Sequence, residues 1–154
     1  MKIKREKFDI VLNVLCLAIL ICTVLFLLCT WTRIPDKVPM HHDFAGNVDR
    51  WGGKSEIIVL PVISWITYLF LTLIERFPEI WNTGVTVTEE NKERVYSVLL
   101  HLISSIKFII ILLFAWLTVQ TAVGFELGAW FLPVFLLAIF GDLLYWLWRL
   151  FRAK

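Results

Sequence analysis

Ile10-Val11-Leu12-Asn13-Val14-Leu15-Cys16-Leu17-Ala18-Ile19-Leu20-Ile21-Cys22-Thr23-Val24-Leu25-Phe26-Leu27-Leu28-Cys29-Thr30 is the stretch on which the fold turns. Lys2, Lys4, Arg5 and Lys7 stand before it. A basic start and a long apolar run also describe a signal peptide. This run outlasts the usual 7–15-residue apolar region, however, and no small-x-small cleavage site follows it. Leu28 before Cys29 argues against a lipoprotein, which wants a small residue there. The expectation is an uncleaved first transmembrane helix over residues 10–30, with a cytoplasmic N-terminus.

The composition extends that reading to the whole chain. Apolar residues make up 59% of the 154, mean hydropathy is +0.78, and the 18% charged residues cluster at segment ends. Soluble domains are less apolar and more evenly charged. A net charge of +2, with no basic face interleaved with aromatics, excludes nucleic acid as a partner. Cys16, Cys22 and Cys29 all lie in the first run, spaced six and seven apart. That spacing on one helix does not reach disulfide geometry, so they read as small apolar side chains.

Three more spans follow. Ser55 and Glu56 suit a helix start, and residues 57–74 form a second run with Pro61 either in its first turn or at a kink. Glu75 and Arg76 end it. A turn-rich link holds Pro78, Asn82 and Gly84. Thr88 then reads as the N-cap of a long helix beginning at Glu89. Val95, Leu99, Leu102 and Ile106 recur at helical spacing before the pattern becomes uniformly apolar over residues 104–122. The connection at 123–129 is too short for anything but antiparallel neighbours, and the fourth span covers 130–148. Residues 75–103 would form the cytoplasmic link and helix start.

Positive charge orients the set. Eleven of the fifteen Lys and Arg residues fall on the side of the termini, and only Arg33, Lys37, Arg50 and Lys54 on the other. The positive-inside bias puts both termini in the cytoplasm. Trp31, Trp130, Trp146 and Trp148 fall near span boundaries, where interfacial aromatics belong. The expected architecture is an all-α bundle of four transmembrane helices, a single membrane domain over residues 1–154, with a structured extracytoplasmic loop over 32–55.

That loop concentrates the chemistry. Pro35 to Lys54 holds His41, His42, three aspartates, three glycines and two prolines. Ile34-Pro35-Asp36-Lys37-Val38-Pro39-Met40-His41, followed by Gly46, Asp49, Trp51, Gly53 and Lys54 and then Pro61, resembles the bacterial and archaeal membrane domain of unknown function found in SdpI-type immunity proteins. Phe77-Pro78 and Val87-Thr88-Glu89-Glu90-Asn91 resemble its small stand-alone members. The likeness covers about residues 31–107, and the second SdpI signature is missing after Trp130. It implies a fold and a location in the bacterial inner membrane. It also implies that Pro39, His41, Asp43, Gly46, Asp49, Trp51, Gly53 and Lys54 organise the loop or bind a ligand, with His41 in the family's histidine position.

The residues themselves leave several roles open. His41, His42 and Asp43 are ligand types for a metal, but they lack zinc-type spacing, and hydrogen bonding of a histidine to Asp43 or to carbonyls is the simpler account. Gly52-Gly53-Lys54-Ser55 lacks the spacing of a phosphate loop, and no cofactor motif occurs. His101 reads as a satisfied histidine at the membrane edge. Lys107 and Asp142 are intramembrane polar residues, and antiparallel third and fourth helices would bring them to similar depth for an ion pair. The leading function is a non-enzymatic membrane protein of immunity, accessory or signalling type, whose outer loop binds a peptide, lipid or partner protein. The alternatives are a membrane enzyme using His41 and nearby aspartates, metal-assisted or not, and a small transporter using Asp142 and Lys107. The partners implied are the lipid bilayer, a membrane protein or peptide, and a second copy of the chain.

Overall fold

The computed structural model describes residues 3–154; Lys2, counted above among the flanking cations, lies outside them. Four helices carry the fold: α1 (Lys7–Thr30), α2 (Val59–Ile74), α3 (Lys92–Val123) and α4 (Phe131–Ala153). Each, with its flanking turns, is long and apolar enough to cross a membrane. That is the architecture of a multi-pass membrane protein. α3 is the hub, packing against α1, α2 and α4, while α4 leans chiefly on α3.

Three apolar tiers fill the bundle. Val95, Val98, Leu99, Trp146 and Leu150 pack at the end holding both termini. Cys16, Leu20, Tyr68 and Ile111 fill the middle. Leu27, Ile34, Val38, Ile57 and Ala122 close the opposite end. Between the first two tiers the packing is polar.

The loop over 32–55 departs from the all-α expectation. It contains an antiparallel hairpin of β1 (Lys37–His42) and β2 (Val48–Gly53), with Val38 opposite Gly52 and Pro39 opposite Trp51. The register slips between Pro39 and His42. Polar residues, glycines and a proline hide the strand pattern in the sequence. Tertiary burial supplies what propensity lacks: Val38 is 1% exposed and sits in the apolar tier beneath.

Helix starts differ in detail. A 3-10 turn (Lys54–Ile58) precedes α2, whose first turn contains Pro61, so no kink is needed. α3 starts at Lys92 rather than Glu89. The Thr88 N–H donates to Asn91 Oδ1 (2.8 Å) and the Asn91 N–H to Thr88 Oγ1 (3.3 Å), closing a turn ahead of the helix. Gly124 ends α3 in the left-handed region (φ +79°), its N–H donating to Gln120 O.

Candidate functional site

Two polar assemblies occupy opposite ends of the bundle. At the hairpin end, Asp43 shapes the tip: its Oδ1 accepts the N–H groups of Ala45 and Asn47, both at 2.9 Å. The Asn47 side chain also donates to it, and these donors hold the Asp43 carboxyl below the usual carboxylate range. Gly46 completes the turn at φ +86°, where a Cβ would lie 2.6–2.7 Å from the backbone of Gly128. Only a residue without a side chain lets the tip rest on the α3–α4 connection.

His41 pairs across the hairpin with Asp49, not with Asp43. Because a carboxylate only accepts, Nδ1–H is the donor to Asp49 Oδ1 at 2.6 Å. Both side chains are largely exposed. His42 is half-buried, and its Nε2 has no hydrogen-bond partner. Burial lowers its pKa from 6.5, and the charge of His41 adds to this, outweighing the opposing influence of Asp49, Glu126 and Asp43.

The remaining loop residues set the frame. Pro39 is buried, the Gly53 N–H donates to Glu56 Oε1 (2.8 Å), and Lys54 Nζ lies 4.8 Å above the Trp31 ring. Trp51 is 58% exposed and Phe44 90%. Between the hairpin and the start of α4 lies a groove of about 530 Å³. His41, His42, Asp43 and Asp49 line one side of it; Leu117, Leu127, Phe131 and Leu132 line the other. Among the described residues, no group of three or more His, Cys, Asp or Glu side chains is placed to hold a metal ion.

At the terminal end the expected Lys107–Asp142 pair does not form. Lys107, 1% exposed, donates to Glu75 Oε1 (2.6 Å), Asn13 Oδ1 (3.2 Å) and Thr72 Oγ1 (3.2 Å), which uses all three ammonium protons. Its ammonium also lies 5.3 Å from the Tyr68 ring centroid. Arg5 reaches the other oxygen of Glu75 at 2.8 Å. Asp142 instead accepts from Ser105 Oγ (2.8 Å) and Trp146 Nε1 (3.0 Å). Two helical steps rotate a side chain by about 200°, so Ser105 faces α4 while Lys107 faces α1 and α2.

Trp146 is correspondingly an inner residue. It is 8% exposed and stacks on His101, with centroids 5.2 Å apart. The His101 Nδ1–H donates to Ser97 O at 2.6 Å, and Nε2 faces Glu6 (3.6 Å) and Asp9 (3.8 Å). Glu75, Asn13, Arg5 and Asp9 are thus site residues that sequence reasoning missed. The available signal was the spacing Asp9, Asn13, which puts two polar groups on one face of α1, with Arg5 in the segment just before the helix.

Residues 18–64 match a family model described as a domain of unknown function, DUF1648. The match runs from α1 through the hairpin into the first turns of α2. An uncharacterized protein of Archaeoglobus fulgidus is 35% identical over 79 residues, covering 46% of this chain and 42% of that protein. The chain thus matches less than half the length of this relative. No solved structure matches.

Proposed function

We propose that this chain is a non-enzymatic binding module of the bacterial inner membrane. In this reading both termini are cytoplasmic, and the hairpin groove faces outward as the receptor surface for an amphipathic peptide or a membrane partner. The carrying observation is the groove itself. Gly46 seats the hairpin on Gly128, which sets a titratable wall against an apolar one beside the exposed Phe44. A surface of that kind suits a ligand with an apolar body and a polar group. The likeness of residues 31–107 to SdpI-type proteins supports an immunity, accessory or signalling role for such binding.

The test is a photo-reactive side chain at Phe44, with a second at Trp148 on the far end of the bundle, irradiated in native membranes. A discrete protein or peptide adduct at position 44, absent at 148 and lost with His41→Ala, is the expected result. Only lipid adducts, equal at both positions, would show that the groove is simply covered by the bilayer.

A further inference from the structure

A second cleft, of about 560 Å³, opens at the terminal end between the start of α3 and the last turns of α4. Arg94, Arg149 and Arg152 line it together with Glu6 and Glu93. Glu6 is turned toward the bundle: Oε1 accepts from Ser97 Oγ (3.2 Å) and Oε2 lies 3.6 Å from His101 Nε2. Three guanidinium groups against two carboxylates leave one positive charge in the cleft.

Two of the guanidiniums, those of α4, have aromatic neighbours one turn away. Arg152 lies 4.9 Å over the Trp148 ring, and Arg149 donates to Tyr145 OH at 3.3 Å. Tyr145 and Trp148 are about half exposed, at the point where the apolar run of α4 gives way to arginines. Aromatics so placed mark headgroup depth in a bilayer, and basic clefts between helices at that depth suit anionic headgroups.

We propose that this cleft binds the phosphate of an anionic phospholipid. A phosphodiester carries one negative charge, which balances the surplus, and planar guanidiniums bind phosphate oxygens in pairs. Val98, Trp148 and Ala153 supply an apolar wall against which the glycerol backbone rests. The site is separate from the hairpin groove and does not depend on the role proposed there.

The experiment measures thermal stability and retained lipid in detergent, for the intact chain with added phosphatidylglycerol or phosphatidylcholine. Native mass spectrometry counts the lipid. The expectation is retained phosphatidylglycerol and a Tm rise of several degrees, neither produced by phosphatidylcholine. Arg149→Gln/Arg152→Gln should match the parent in phosphatidylcholine yet lose most of that rise. Arg149→Lys/Arg152→Lys should keep only part of it. Equal shifts with both lipids, or a full shift in the glutamine variant, would overturn the proposal. Inorganic phosphate alone giving the same rise would overturn the lipid assignment in favour of a free anion. Should the glutamine variant fail to fold, the lysine variant decides, and an undiminished shift there would overturn the assignment to this cleft.

Discussion

His42 and His41 are adjacent, yet their surroundings assign them different behaviour. His41 reaches over the hairpin to Asp49 in an exposed pair, the kind that contributes about 0–1 kcal/mol. His42 is half-buried with an unpartnered Nε2, and its folded-state pKa lies below 6.5. The folded hairpin therefore favours neutral His42, and the unfolded chain binds the extra proton first. Stability should fall as pH drops below about 6.5 and level off beneath the folded pKa. Hydrogen exchange across residues 37–53 between pH 7 and pH 5 measures this. Protection should decline with acidity, and His42→Gln should flatten the decline. An unchanged slope in His42→Gln would assign the effect to another group.

At the scale of elements, Lys107 ties α3 to α1 and α2 at one point. An unpaired lysine costs up to about 3 kcal/mol on insertion scales, the full amount only at the centre of a span, and here Glu75, Asn13 and Thr72 offset the cost. The two partners are not equivalent under mutation. Lys107→Met leaves Glu75 still paired with Arg5, whereas Glu75→Gln leaves a buried ammonium with only neutral acceptors. Glu75→Gln should destabilise the bundle by about 2–4 kcal/mol and Lys107→Met by about half of that. A double-mutant cycle in detergent should give a coupling of at least about 1 kcal/mol for Lys107 with Glu75 and additivity for Lys107 with Asp142. The reverse pattern would restore the pair expected from depth alone.

For the whole molecule, the testable quantity is which end of the bundle faces outward. The orientation proposed from the positive-inside bias has the hairpin outside and the 75–91 link inside. A cysteine-free variant carrying a single cysteine at Ala45 should react with an impermeant maleimide in intact cells, while one at Asn82 should react only after lysis. Labelling at Asn82 alone would invert the assignment.

Much of this architecture was legible in the chain. Helix number, approximate ends and antiparallel order follow from apolar runs interrupted by turns and charges, because backbone groups in hydrocarbon must satisfy one another within a helix. That the Pro35–Lys54 passage is a shaped segment was legible too, from its glycines, prolines and aspartates. Its strands were not, because Val38 and Pro39 become strand residues only through burial against the 3-10 turn at 54–58 and α3. Nor was the partner of Lys107: sequence supplies depth along a helix but not rotation about its axis. Glu75 read as the end of a span. Only packing of α1, α2 and α3 turned it inward, where it accepts from both Arg5 and Lys107.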